Sequence, residues 1–264
     1  MVMEMHGRCN CHAACRESRP TMIRIATLLG FLAVFGAATL LYYVRYQPDA
    51  QAYPIQGIDV SHHQGPIRWP EVARGGISFA YIKATEGADY KDRRFLENWT
   101  NAAKAGVARG AYHFFSLCRP GLEQARNFIA TVPSKAGDLP PAIDLEFGGN
   151  CSIRPAMVVV KASVATLVEQ LQVAYKKTPI LYVTRDFYDA YGQALPEHAR
   201  FWIRSIAWPP AYGGRSWTLW QYHNRGRVLG VDGPVDRNVF NGSETEFRAF
   251  VTIGEQLTLS DFSR

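Results

Sequence analysis

The chain lacks the charge runs and the low-complexity tracts that mark many nucleic-acid-binding and disordered proteins. Its 264 residues contain no run of five or more lysines and arginines, although the formal net charge is +6. This distribution gives little support to nucleic-acid binding. A positive net charge favours binding to an anionic polymer or to a membrane surface, and a need for ordinary solubility explains the charge equally well. The length is sufficient for one large domain with a substantial core.

Charged residues are absent from the segment 25–44, IATLLGFLAVFGAATLLYYV. At about 1.5 Å per residue, a helix of this length crosses a bilayer core of about 30 Å. Arginines precede the segment, so the positive-inside rule places the N-terminus in the cytoplasm and everything after Val44 outside. We expect an uncleaved anchor. Cleavage after Ala52, in the sequence Ala-Gln-Ala, is the alternative and would release the protein.

The segment sets the expected organisation of the chain. We predict a cytoplasmic tail at 1–24, a membrane anchor at 25–44, a linker at 45–54, a barrel domain at 55–254 and a C-terminal tail at 255–264. The protein is then membrane-anchored, with its main domain outside the cytoplasm.

Cysteine is scarce, and its five copies divide into two groups. Cys9, Cys11 and Cys15 precede the apolar segment, and their spacing resembles a metal site only loosely, so we expect no metal ion. Cys118 and Cys151 belong to the exported part. Two cysteines in an oxidising compartment are candidates for a disulfide bond, and their spacing leaves its geometry open.

Short strand-like segments alternate with helical periodicity in the exported part. Segments rich in β-branched and aromatic residues predict strands at 57–60, 79–84, 110–115, 141–145, 179–183, 201–206, 218–222 and 235–239. Apolar spacing predicts helices at 95–103, 122–132, 160–175 and 186–195, and Ser243 and Glu246 form a capping box before a last helix. This alternation predicts parallel strands with helices outside, closed into an α/β barrel. The helical signal thins between the last strands, so we expect an irregular second half.

Acidic residues recur at the predicted strand ends, where the site of such a barrel lies. They are Asp59, Asp144, Glu146 and Asp236. Asp144 and Glu146 are two residues apart, so both side chains point to one face of a strand. Their repulsion raises one pKa and supplies a proton donor near neutral pH, which glycosidic bond cleavage requires. On a surface strand the same pair would be two solvated charges, but its neighbours here are apolar.

Aromatic and amide residues accompany these acids. Sugar rings stack on aromatic rings, and their hydroxyl groups suit amides and carboxylates. For any single aromatic residue, core packing is as strong an expectation. Together they favour a carbohydrate ligand bound by Tyr112, His113, Tyr182, Trp202, Trp220, Gln221 and Tyr222.

The exported region resembles the family 25 glycoside hydrolases, muramidases that cut the linkage between N-acetylmuramic acid and N-acetylglucosamine. The stretches that carry the resemblance follow the family order. They are GIDVSHHQG at 57–65, FAYIKATEG at 79–87, GAYHFF at 110–115, AIDLE at 142–146, ILYV at 180–183, FWI at 201–203, WQY at 220–222 and VDRNVF at 235–240. The resemblance implies an irregular, TIM-like (β/α)5β3 barrel and a lysozyme activity on the glycan strands of peptidoglycan. No cofactor is implied. The sequence does not show the oligomeric state, and a monomer is the default expectation for a barrel that cuts a polymer.

The resemblance also implies residue roles. It makes Glu146 the proton donor, places Asp144 beside it, and completes the acidic cluster with Asp59 and Asp236. Lys83 and Glu86, in the second matching stretch, join the residues expected to bind substrate. The family is similar to hydrolases in which the substrate's 2-acetamido group attacks the anomeric carbon, with retention. A direct carboxylate nucleophile is the alternative.

Two stretches depart from the family pattern. His62 and His63 stand where the family more often has an aromatic residue, so one subsite is expected to differ. A metal role for this pair is disfavoured because adjacent residues on a strand face opposite ways. The sequence Arg204-Ser205-Ile206 is also less typical and leaves the shape of that side of the groove open.

Within such a barrel, Cys118 and Cys151 each follow one of two neighbouring strands, on the side of the site. We therefore predict a disulfide bond between the loops after Phe115 and after Glu146. Two free thiols are the alternative.

Two other functions remain open. One is a related N-acetylglucosaminidase or chitinase, which also uses a D-x-E pair on barrel strands. The other is a barrel that binds wall glycan without cutting it. Retention of all four acids argues against the second, because loss of the acid pair is the simplest route to a pure binder.

Overall fold

The computed structural model describes residues 18–134, 137–149, 151–196, 198–212 and 217–252. It divides the chain into two units, Met1–Tyr46 and Gln47–Arg264. The cysteines at 9, 11 and 15 and the predicted tail at 255–264 lie outside the described residues.

The first unit contains one long helix, α1 (Ser18–Arg45). Its part Met22–Arg45 is apolar and long enough to cross a membrane, and none of that part is buried within the protein. A cleaved signal sequence has the same length and composition, so the helix is a candidate for either role.

The second unit is built around one sheet that closes on itself. Its strands are β1 (Gln56–Val60), β2 (Phe79–Glu86), β3 (Tyr90–Lys91), β4 (Ala108–Phe114), β5 (Ala142–Leu145), β6 (Ile180–Val183), β7 (Arg200–Arg204), β8 (Trp217–Gly226) and β9 (Val235–Phe240). Eight of them form the barrel in the order β1-β2-β4-β5-β6-β7-β8-β9, and β9 pairs back to β1. The strand β3 extends β2 as a short hairpin.

Helices cover the outside of the first half of the barrel. They are α2 (Trp69–Arg74), α3 (Phe95–Lys104), α4 (Gly121–Ile129), α5 (Met157–Tyr175) and α6 (Arg185–Tyr191), and α7 (Glu244–Thr252) follows the last strand. The sequence predicted all of these except α2, which is only six residues long. The helix α5 is also apolar enough to cross a membrane, but its buried face packs into the core through Val160, Val164, Leu167, Val168 and Leu171.

The architecture is a mixed α/β barrel of eight strands, which agrees with the expected irregular barrel, but it is not a true TIM barrel. A TIM barrel has eight parallel strands, each followed by a helix. Here β9 runs antiparallel to both of its neighbours, β8 and β1. The described residues between β7 and β8 form no helix. The predicted thinning of helices in the second half is therefore observed.

Aromatic side chains fill part of the barrel interior. Phe79 and Tyr81 are fully buried in the cluster of side chains that includes Trp202. Two glycines make room for them. A Cβ atom at Gly57 would lie 2.2 Å from the ring of Phe79, and one at Gly110 would lie 2.4 Å from the ring of Tyr81. The filled interior leaves open space only towards the carboxyl ends of the strands, among the described residues.

The predicted disulfide bond between Cys118 and Cys151 is confirmed, with the two Cα atoms 5.7 Å apart. It joins the loop after β4 to the loop after β5, and these strands are neighbours in the sheet. The bond therefore connects two adjacent loops at the end of the barrel where the acids lie.

Removal of this bond is expected to lower the free energy of unfolding. The cross-link closes a loop of 33 residues, and the entropy of the open chain gives a loss of about 3–4 kcal/mol. Denaturant unfolding of the double variant Cys118→Ser/Cys151→Ser measures this loss, and reduced wild-type protein should match the variant. A difference below about 1 kcal/mol would show that the loops are held by packing alone.

Candidate active site

A cavity of about 430 Å³ lies at the carboxyl ends of the barrel strands. All four predicted acids line it. So do five of the nine residues predicted to bind substrate, namely Lys83, Tyr112, Tyr182, Trp202 and Gln221. The cavity is therefore acidic, with aromatic and amide walls. These groups come together because parallel strands present their ends at one rim.

Asp59 and Asp236 form one carboxyl pair across β1 and β9, where their backbones lie opposite each other. The Oδ2 atom of Asp59 accepts hydrogen bonds from Nδ2 of Asn238 at 2.8 Å and from Nε2 of Gln221 at 3.0 Å. Burial, then the charge of Asp59, raises the pKa of Asp236 to about 9. Asp236 therefore holds a proton at neutral pH and donates it to Asp59, whose own pKa is also raised by burial.

Asp144 and Glu146 form the second carboxyl pair, at the end of β5. Burial raises the pKa of Asp144 well above its ordinary value, and the charge of Glu146 raises it further. Burial also raises the pKa of Glu146, and the nearby cation of Arg204 opposes this rise. Two buried carboxyls so close together retain a proton near neutral pH. The pair can therefore supply both a proton donor and a carboxylate.

One oxygen of Asp144 has a particular environment. Its Oδ1 atom is buried and accepts no hydrogen bond from the part of the chain that the structure describes. A buried acceptor without a donor costs about 1–3 kcal/mol. The residue itself lines the cavity.

A chain of hydrogen bonds fixes the wall of the cavity opposite this pair. The hydroxyl of Tyr182 donates to Oε1 of Gln221 at 2.9 Å, and Nε1 of Trp202 donates to Oδ1 of Asn238 at 2.8 Å. Both amides then donate to Asp59. Each amide is thereby oriented, so the wall is ordered before any ligand binds.

Trp220, predicted to bind sugar, does not line the cavity: it is fully buried, and its Nε1 atom donates to the carbonyl of Ser205 at 2.6 Å. Two further residues predicted to bind substrate also lie away from the cavity. His113 is fully buried, and its ring nitrogens contact Oγ1 of Thr85 at 2.7 Å and Oε1 of Gln124 at 3.0 Å. Tyr222 is also buried, and its hydroxyl lies 3.3 Å from Oε1 of Gln56. Both follow cavity residues directly on a strand, and adjacent strand residues face opposite sides of a sheet. They support the barrel from its outer side.

Glu86 does not line the cavity but positions a residue that does. Its Oε2 atom accepts a hydrogen bond from Nζ of Lys83 at 2.7 Å. The same ammonium lies 4.7 Å from the centre of the Phe114 ring. Lys83 is thus held at the edge of the cavity by a carboxylate and an aromatic face.

Sequence reasoning did not assign Phe114 and Arg204 to the site, although both line the cavity. They lie two residues after Tyr112 and Trp202 on their strands. The two-residue period that selected Asp144 and Glu146 could have found them.

The histidine pair differs from its sequence interpretation. His62 and His63 lie on a short 3-10 helix, His62–Gln64, and not on a strand. Their rings stack with centres 4.0 Å apart, Nδ1 of His62 lies 2.7 Å from Oδ2 of Asp92, and His63 lines the cavity. Among the described residues, no group of three or more His, Cys, Asp or Glu side chains is placed to hold a metal ion.

Comparison with known proteins agrees with this geometry. Residues 58–231 match the family model described as Glycosyl hydrolases family 25. Lysozyme M1 of Streptomyces globisporus is 39% identical over 212 residues, covering 74% of this chain and 70% of that protein. A solved family 25 glycosyl hydrolase from Bacillus anthracis is 40% identical, with a TM-score of 0.74 over 78% of this chain and 97% of that chain. The bacterial lysozyme of Streptomyces coelicolor is 35% identical, with a TM-score of 0.70 over 76% and 98% of the two chains. The chain therefore belongs to glycosyl hydrolase family 25 and is a glycoside hydrolase.

Proposed function

We propose that the enzyme is a muramidase that hydrolyses the β-1,4 bond between N-acetylmuramic acid and N-acetylglucosamine in peptidoglycan. The observation that carries this proposal is the buried carboxyl pair of Asp144 and Glu146, both with raised pKa values, in a cavity walled by aromatic and amide groups. Hydrolysis of a glycosidic bond needs a proton donor and a second carboxyl group. The lysozyme names of the relatives point to the same substrate.

In the proposed reaction Glu146 protonates the leaving oxygen. The substrate's own 2-acetamido oxygen attacks the anomeric carbon, and water then opens the cyclic intermediate with overall retention. Asp144, which lines the cavity, accepts the N–H of the acetamido group and stabilises the charge that develops there.

When Asp59 is ionised, the pair of Asp59 and Asp236 adds one negative charge to the same cavity. The transition state of glycoside hydrolysis resembles an oxocarbenium ion and is positively charged. A fixed carboxylate, already oriented by Gln221 and Asn238, stabilises such a charge without reorganising. We assign the pair this electrostatic role.

We place the reaction outside the cytoplasm. The apolar helix α1 either anchors the enzyme in the membrane or directs its export as a signal sequence. The disulfide bond between Cys118 and Cys151 supports an oxidising compartment.

Release of fragments from purified peptidoglycan tests catalysis against glycan binding. Residues 47–264 suffice for this test, because solved relatives consist almost entirely of the matching barrel. Wild-type protein should lower the turbidity of a peptidoglycan suspension, and Glu146→Gln should bind the same material without lowering it. Binding with no turbidity change for either protein would identify a glycan-binding barrel. The N-acetylglucosaminidase alternative is distinguished by the ends of the fragments.

Arg204 is expected to set the alkaline limit of activity. Glu146 must be protonated to act as an acid, and the charges around it are Arg204, Asp59, Asp186 and Lys83. Arg204 lowers the pKa of Glu146, so Arg204→Gln should raise this pKa and move the alkaline limb of kcat/KM to higher pH. A pH profile measures the shift, and Arg248→Gln, on the exposed face of α7, should show none. An unchanged limb would remove Arg204 from this role.

A further inference from the structure

A second, more open cavity of about 400 Å³ lies next to the catalytic cavity. It is lined by Phe147, Gly148, Gly149, Cys151, Ser152 and Arg154, which follow β5. A third, small pocket shares Glu146 and Phe114 with the catalytic cavity, and it shares Phe147 and Arg154 with the outer one. The outer cavity therefore adjoins the catalytic one beside Glu146.

Several contacts hold the described walls of this outer cavity in place. The disulfide bond ties Cys151 to the loop after β4. Gly149 has a φ of +68°, which favours glycine, and a Cβ atom there would make tight contacts of 3.0 Å with Oε1 of Glu86 and with the Phe114 ring. The ring of Phe147 packs against Phe187, with ring centres 5.3 Å apart.

Arg154 gives the outer cavity its charge. The carbon Cζ of its guanidinium lies 4.1 Å from the centre of the Phe147 ring, which orients the cation. Its Nη1 atom donates to the carbonyl of Ile153 at 3.1 Å. Within the part of the chain that the structure describes, no carboxylate lies within ion-pair distance of Arg154. An oriented, exposed guanidinium in a cavity is suited to a carboxylate ligand.

We propose that the outer cavity is a subsite for the acidic stem peptides of peptidoglycan, in which Arg154 binds a peptide carboxylate. The inference rests on the proposed function, since it names a part of that substrate. Stem peptides hang from the muramic acid residues of the strand and carry free carboxylates. The subsite adjoins the catalytic cavity beside Glu146, the proposed proton donor, so a stem peptide near the scissile bond reaches it. Arg154 is thus a specificity residue that separates peptide-bearing from peptide-free strands.

Paired substrates test the subsite. Glycan strands with their stem peptides, and strands stripped of them by an amidase, are digested by wild-type protein, Arg154→Gln and Arg154→Lys. An exposed charge pair contributes up to about 1 kcal/mol, which is about five-fold in kcat/KM. Arg154→Gln should lose about five-fold on peptide-bearing strands and less than about two-fold on stripped strands. Arg154→Lys keeps the positive charge and should therefore retain most of the wild-type preference for peptide-bearing over stripped strands.

Arg185→Gln is the matched control. Arg185 also lies over an aromatic ring, that of Tyr212 at 5.3 Å, but lines neither cavity. Equal losses for Arg154→Gln on both substrates, or no loss on either, would overturn the subsite. Binding of the two strands to Glu146→Gln protein, with and without Arg154→Gln, gives a second measure that needs no cleavage. Arg154-dependent binding of peptide-bearing strands without any cleavage by the wild type would leave the subsite standing and reject the muramidase.

Discussion

Glu146→Gln is expected to lower kcat on peptidoglycan by about 10²–10⁴-fold, the usual contribution of a general acid. Glutamine keeps the shape of the side chain but cannot give a proton to the leaving oxygen. Glu146 lies just past β5, on the wall of the cavity, and burial raises the pKa of its carboxyl group. Initial rates of fragment release measure the loss.

The leaving group separates an acid from a structural residue. A glycoside with a phenolic leaving group of low pKa needs no proton, so Glu146→Gln should carry out the first step of its cleavage, measured as kcat/KM or as the burst of released phenol, at a rate close to that of the wild type. An equal loss on both substrates would show that Glu146 supports the cavity and that another group is the acid.

Asp144→Asn is expected to lower kcat by about 10²–10³-fold, the cost of removing one preorganised electrostatic partner. Here a better leaving group should restore nothing, because the lost group stabilises the acetamido charge and does not act on the leaving oxygen. The pKa of Asp144 is raised by burial and by Glu146, so its ionised form destabilises the fold above the pKa of the unfolded chain. The neutral asparagine should therefore melt at neutral pH no lower than the wild type. A large drop in melting temperature would show that the kinetic loss comes from a damaged fold and not from the loss of the electrostatic partner.

The two possible mechanisms, acetamido participation and direct attack by a carboxylate, differ in the intermediate that accumulates. With an activated glycoside, the first step is fast in Glu146→Gln because the leaving group needs no proton. The second step is slow because it needs a base. A direct attack by Asp144 would then leave a sugar covalently attached to the protein, visible in its intact mass. The proposed reaction leaves no such adduct, since the intermediate forms within the substrate itself.

The two-residue period of a strand explains both the success and the errors of the sequence-based site. Asp144 and Glu146 were placed on one face by this period, and the structure brings both to the cavity. His113 and Tyr222 each directly follow a cavity residue on a strand, and they face the other way. A strand that is buried on both sides carries apolar and aromatic residues on both of its faces. Composition therefore could not separate the residues that face the cavity from those that face the helices.

Other parts depend on contacts between distant segments. The antiparallel direction of β9 cannot be read from its own residues, because strand composition does not encode direction. The proton shared by Asp59 and Asp236 depends on pairing between residues far apart in the chain. The disulfide bond was predictable only once β4 and β5 were expected to be neighbours. The short helix α2 has too few residues for a periodic signal.

The chemical identity of the new chain ends tests the central claim most directly. Purified peptidoglycan is digested with residues 47–264, the new reducing ends are reduced with borohydride, and the products are identified by mass spectrometry. The proposed muramidase gives reduced muramic acid ends, which should be missing from a digest with Glu146→Gln. Reduced glucosamine ends would move the cut to the neighbouring bond and contradict the muramidase in favour of an N-acetylglucosaminidase.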